Sequence, residues 1–211
     1  KRAADSDDED EVEDGESFLR KYATVTVWRA QTSALVVQTM HSALRTDTMM
    51  ARGSHGQTTA IIAKDDMEKL LPALAGHIEV AYTLRLNVPP SASQVDSTLV
   101  FPEFMDKVLT PCLGQLSVHL AYSNPALWDT LTQVTMAQSR HSSAIVRFAA
   151  LSALHIYIKR NNEDFLLLLP KIVGYISELM QDTNVLVEKL AQDVIKTIEK
   201  ISGESLSDYL K

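Results

Sequence analysis

The chain has 211 residues, of which 45% are hydrophobic and 22% charged, and a formal net charge of -7. That is enough apolar material for a buried core in one or two domains. The single cysteine, Cys112, excludes an internal disulfide framework and suits a reducing intracellular compartment; no apolar run reaches the roughly 18 residues of a membrane-spanning helix.

The sequence starts at Lys1 rather than Met, shows no secretory signal pattern and reads as a fragment of something longer. Residues 1–17 hold nine acidic side chains against Lys1 and Arg2, which accounts for the whole net charge. The other 18 basic and 18 acidic residues cancel. Nine carboxylates repel one another and Val12 is the only large aliphatic among them, so 1–17 is expected to be an acidic disordered linker. It could also serve as an electrostatic arm for a basic partner, and Ser6, ahead of Asp7-Asp8-Glu9, has an acidophilic phosphorylation context. Residues 18–211 are expected to form one helical domain.

Within that domain Phe18, Tyr22 and Val25, then Val36, Met40 and Leu44, recur at helical spacing, although the β-branched alternation of residues 24–28 also suits a strand. Residues 47–60 lack periodicity and read as a loop. Asp65 or Asp66 can cap a helix whose stripe is Met67, Leu70, Leu74, Ile78 and Ala81, with Pro72 kinking it or delaying its start. Asn87 to Ser91 ends that stretch. A further helical stretch runs from Asp96 or Ser97 to about Tyr122, divided by Pro102 and Pro111.

The last ninety residues are clearer. Asn124 as N-cap and Pro125 at the first helical position start a helix to about Ser139. Ser142 or Ser143 caps the next, to about Arg160, and Lys159 and Arg160 suit the negative end of its dipole. A helix from about Asp164 to Met180 carries Phe165, Leu169, Ile172, Ile176 and Leu179, with Pro170 bending its first turns. The last, Val185 to Ile201, packs Val187, Leu190, Ala191, Val194, Ile198 and Ile201, and Gly203 is its expected C-cap.

These helices repeat. Val146, Ala149, Ala150, Leu154 and Tyr157 fall on Val187, Leu190, Ala191, Ile195 and Ile198, 41 residues later, and upstream Leu127, Leu131 and Val134 fall on Leu168, Ile172 and Tyr175. A period of about 40–47 residues is that of HEAT and armadillo helix pairs. The fold class expected is therefore all-α, an α-solenoid of antiparallel helix pairs (HEAT/armadillo-like), with clear repeats at 125–160 and 163–202. Met105, Val108, Leu109, Leu113 and Leu116 sit one further period upstream, as an eroded third copy or by chance.

Catalytic chemistry finds no support in the sequence. The six histidines show no metal-ligand spacing, no glycine loop precedes a Lys-Ser/Thr, and there is no nucleophile elbow. Carboxylate pairs such as Asp65-Asp66 and Glu163-Asp164 stand where helix starts explain them. No enzyme activity, cofactor, metal site or small-molecule substrate is expected. The candidate contacts with a partner or RNA are Arg140, Arg147, Lys159, Arg160 and Trp128. Arg147 has an alternative role in an inter-repeat ladder with Asp182 or Glu188, and Trp128 either packs in the core or offers a stacking platform for a base.

The residues of 126–210 also carry a family resemblance. Ala126-Leu127-Trp128, Ser139-Arg140-His141, Ile145 to Leu151, Leu167-Leu168-Leu169-Pro170, Ile176 to Asp182, Val187-Glu188 and Ser202 to Leu206 occur in an order that resembles the C-terminal end of the very large, U3 snoRNA-associated HEAT-repeat subunit of the small-subunit processome. Lys171 and Gly174 depart from that pattern. The resemblance implies a nucleolar scaffold with no catalytic residues, acting in 18S pre-rRNA processing with other processome proteins and, directly or through them, pre-rRNA or snoRNA, and no membrane. A HEAT adaptor of another system (transport or a phosphatase scaffold) and an RNA-binding helical module are the alternatives.

Overall fold

A computed structural model describes residues 35–46, 64–76, 78 and 105–206. The expected acidic linker 1–17, the helix or strand of 18–34, the loop 47–60 and the break at 87–91 lie outside the described residues. Every regular element among the described residues is helical.

Helix α1 spans residues 35–46 and α2 spans Lys64–Gly76. In α1 the buried positions are Val37 and Leu44, while Leu35 and Val36 are exposed. The core-facing stripe is therefore one residue out of phase, at its start, with the expected 36, 40, 44. The same correction applies to α2, where Met67 and Leu71 are buried rather than Met67 and Leu70. A helix turns 100° per residue, so two adjacent apolar residues leave the buried edge undecided until a neighbouring helix selects it. Pro72 stays inside α2, exposed to solvent.

From Met105 the described chain is continuous. A wide π-turn, Met105–Leu109, leads into α3, Thr110–Ser123. Pro111 lies in the first turn of α3 rather than dividing a longer helix. Its missing N–H and its ring disfavour an ordinary α-turn onto Lys107, and the wider turn upstream accommodates both. Helix α4 spans Pro125–Ala137, with the Asn124 side chain accepting from the Leu127 N–H at 3.3 Å, and ends in a 3-10 turn at Gln138–Arg140. Helix α5 is Ala144–Asn161.

Asn162 then turns with φ of 54° and opens a 3-10 segment, Asn162–Leu168. Helix α6 accordingly begins only at Leu169, with Pro170 in its first turn, and runs to Leu179. The single helix expected from Asp164 is thus two pieces. Helix α7, Val185–Ser202, has Asn184 as N-cap, its side-chain Oδ1 accepting from the Leu186 N–H at 3.0 Å, and a left-handed Gly203 (φ of 73°) as C-cap.

The helices form two layers. In one, α2 packs on α4 and α4 on α6; in the other, α3 packs on α5 and α5 on α7. Helices α4 and α5, and α6 and α7, are antiparallel pairs joined by short turns that link the layers. Met105, Leu109, Leu113 and Leu116 of the third copy are as deeply buried as Val146, Ala150, Leu154 and Tyr157. Helix α3 lies against α5 as α5 lies against α7. The 41-residue period therefore extends upstream by one layer helix. Polar groups inside this core are matched: Trp128 Nε1 donates to Ser117 Oγ at 2.9 Å, Asn161 Nδ2 to the same oxygen at 2.8 Å, and the Thr135 and Tyr157 hydroxyls meet at 3.1 Å.

Candidate interaction surface

The charges on the α2–α4–α6 layer and its turns tie one repeat to the next. Arg147 Nε and Nη2 donate to the two Asp182 carboxylate oxygens at 2.7 and 2.8 Å, and Nη1 donates to the His141 and Ser142 carbonyls at 2.9 Å each. The pair is well shielded, with side-chain exposures of 14% and 5%. Burial alone would raise the Asp182 carboxyl. The Arg147 hydrogen bonds, the Asn184 amide and the Arg147 charge outweigh it and hold the carboxyl below its ordinary value. Four of the five N–H donors of Arg147 are thus used inside the fold.

Arg140 makes an exposed counterpart. It forks onto Glu178 at 2.8 and 2.5 Å and lies 4.4 Å from the centre of the Tyr175 ring. The mutual hydrogen bond lowers the Glu178 carboxyl and raises the Arg140 guanidinium. Lys171, which departs from the family pattern, reaches Asp129 at 2.7 Å. Trp128 is 4% exposed and edge-on to Phe165, with ring centres 5.9 Å apart. It offers no free face to a base, so the stacking-platform reading is corrected to a core role.

Lys159 and Arg160 remain exposed at the end of α5. Arg160 Nη1 donates to Gln115 Oε1 at 3.0 Å, across Gly114 of α3. A Cβ on Gly114 would stand 3.0 Å from Ile156 and 3.2 Å from Arg160, so glycine lets α5 approach here. His155 joins the Thr197 hydroxyl at 2.9 Å and aligns α5 with α7. One turn further along, Lys159 and Lys200 occupy corresponding positions of the two helices, 41 residues apart.

Lys189, Lys196 and Lys200, absent from the sequence-derived candidates, follow one another at spacings of 7 and 4 residues and are exposed along a single line of α7. That spacing was visible in the sequence. What concealed it was the neutral total of residues 18–211 and Asp193, which lies on the same line and pairs with Lys196. Cys112 is fully buried, its thiol pushed up to about 12 by desolvation, which suits a small core residue. Among the described residues no group of three or more His, Cys, Asp or Glu side chains could hold a metal ion, and no helix is long and apolar enough to cross a membrane.

Helix pairs stacked at a constant period, stitched through their turns by an Arg147–Asp182 pair, define an all-α solenoid of the HEAT kind. No family model matches the chain. It is similar to proteins whose names agree with the resemblance read from 126–210. One is human HEAT repeat-containing protein 1, 36% identical over 109 residues, which are 52% of this chain and 5% of the human protein. Another is the Dictyostelium discoideum homologue of that protein, 28% identical over 155 residues, 72% of this chain and 6% of the relative. A third is U3 small nucleolar RNA-associated protein 10 of Aspergillus terreus, 44% identical over 64 residues, 30% of this chain and 4% of the relative. The chain therefore spans about a twentieth of the length of these relatives.

Proposed function

We propose that this chain is part of a non-catalytic scaffold in ribosome biogenesis, working in the nucleolus in assembly of the small-subunit processome and 18S pre-rRNA processing. The observation that carries the reading is the similarity to proteins named HEAT repeat-containing protein 1 and U3 small nucleolar RNA-associated protein 10, together with a fold made of stacked helix pairs. Solenoids of this kind present long continuous faces and act by holding partners. The partners in this reading are other processome proteins, with pre-rRNA or snoRNA held directly or through them. Lys159 and Arg160 are the sequence-derived candidates best placed to touch a partner, since both are exposed, and Arg140 adds an exposed guanidinium already engaged by Glu178. Arg147 and Trp128 serve the fold in this account.

The test is a tagged parent protein, followed by imaging and by recovery of bound RNA. Nucleolar signal with co-purified U3 snoRNA is the expected result. An exclusively cytosolic protein with no nucleolar ribonucleoprotein partner overturns the proposal and returns the adaptor alternative.

A further inference from the structure

The neutral helical block is polarised between its two layers. On the α2–α4–α6 side Lys171 and Arg140 each have a carboxylate partner, and Arg147, in the first turn of α5, is paired with Asp182 of the turn between α6 and α7. The outward face of α5 and α7 carries Lys159, Arg160, Lys189, Lys196 and Lys200, all exposed. Asp193, the one carboxylate on the same line of α7, is taken by Lys196 at 3.3 Å. Nearby acids point elsewhere: Glu188 accepts from Gln192, and Glu199 accepts from the Ser205 hydroxyl and the Leu206 N–H. Lys159, Lys189 and Lys200 make no ion pair among the described residues. Of the five cations, Lys196 is paired with Asp193 and Arg160 donates to Gln115, and the exposed acids nearest the helix ends are Glu163 and Asp164 after α5 and Glu204 after α7, so the excess of positive charge is concentrated along the α7 line.

The counter-charge is in the same chain. Residues 1–17 hold nine carboxylates and two cations. Helix α1 starts at residue 35, and its His41 has its pKa lowered by burial and then by the charges of Arg160 and Arg45. From residue 17 to residue 35 the chain can span up to about 60 Å. The lysine line on α7, from Lys189 to Lys200, is about 17 Å long. A tether of that reach holds the acidic segment at roughly millimolar effective concentration over the face.

We propose that the α5–α7 face, Lys159, Arg160, Lys189, Lys196 and Lys200, is the docking surface for the chain's own acidic segment, residues 1–17. The segment covers the face until a stronger polyanion or a basic partner for the segment displaces it. Attraction between exposed charges fades with salt, since the screening length falls from about 10 Å at 0.1 M to about 3 Å at 1 M.

Zero-length carbodiimide coupling of the 211-residue chain, with peptide mapping of the monomer fraction, tests this directly. The expected products at low salt join carboxylates of residues 5–16 to Lys159, Lys189, Lys196 or Lys200, and fall at least tenfold in about 1 M NaCl. The combined Lys159→Glu, Lys189→Glu and Lys200→Glu variant should lose the Lys196 product to a similar extent. Products confined to Lys1 and Lys21, or equally frequent at Lys171 on the opposite layer, overturn the proposal. So do products found only between two copies of the chain. With an oligouridylate as probe, changing the nine acidic residues of 1–17 to Asn or Gln should tighten binding at least tenfold; affinity equal to that of the unchanged chain overturns the proposal in favour of an open RNA-facing surface.

Discussion

Replacing Arg147 with alanine separates a structural from a binding role for the arginine that sequence placed among the candidate contacts. The substitution removes two charge-assisted bonds to Asp182 and the donors to the His141 and Ser142 carbonyls. It also leaves Asp182, only 5% exposed, without its cation. Breaking a buried pair from one side costs about 3–5 kcal/mol, and solvent at a turn lowers that figure, so about 2–3 kcal/mol is expected. For a chain of this size each kcal/mol moves the melting temperature about 2–4 °C, which gives a fall of roughly 4–12 °C. Thermal melts followed by far-ultraviolet circular dichroism measure it. Arg140→Ala, which opens a solvent-exposed pair, should shift the melt much less. The pH dependence carries a second signature. Asp182 has a folded pKa below its unfolded value, so its stabilisation is complete above about pH 4 and is lost as pH falls through the folded value. The penalty of Arg147→Ala should therefore shrink in acid. Equal melting of Arg147→Ala and the unchanged chain, or a penalty that stays constant down to about pH 2, refutes the ladder.

The remaining predictions use single contacts. Gly174 sits exposed inside α6, where an added Cβ would meet no other atom within 4 Å, so Gly174→Ala should stabilise the chain by about 0.5–1 kcal/mol, whereas Gly203→Ala, at φ of 73°, should destabilise it by about 1 kcal/mol; urea midpoints decide both signs. Trp128→Phe keeps the contact with Phe165 but removes the donor to Ser117, and a loss of about 1 kcal/mol is expected in chemical denaturation. His155 has its pKa lowered by burial and then by the Lys159 charge, so its folded form resists protonation and stability should decline as pH falls below about 6.5; melts from pH 8 to pH 5 should flatten in His155→Gln, and an unchanged slope would count against the assignment.

Local signals that need no neighbour were readable from sequence. Asn124 and Pro125 start α4, and Gly203 ends α7, because capping chemistry depends on the chain within a few residues. The 41-residue period fixed the pairing of helices for a similar reason: each unit repeats its own contacts. What depends on a partner helix was harder to read. The buried edge of α1 and α2 is chosen by what packs on it, and the widened turn before Pro111 and the 3-10 segment opened by the left-handed Asn162 are local departures that apolar periodicity does not register. The candidate surface divided along the same line. One period carries His141 to Asp182 and Arg147 to Glu188, which points to the turn where Arg147 meets Asp182, whereas the Arg140 fork onto Glu178 spans 38 residues and shows only once the end of α4 lies against α6.

The charges of such a repeat can be sorted by what each one would lose in isolation. Asp182 without Arg147 is a shielded anion, so that pair is required by the fold and gives no evidence of a ligand. Lys189 and Lys200 stand in water, and deleting them should cost the fold almost nothing. Asp193 stands on that line between Lys189 and Lys196 and offsets part of the repulsion among the three cations, and Lys200 suits the negative end of the α7 dipole. Lys189 and Lys200 nevertheless make no ion pair among the described residues, so an anion laid along the line would make contacts the fold does not already use. Exposed, aligned and largely unpaired cations are therefore stronger evidence for an external or tethered polyanion than the arginines held in ion pairs.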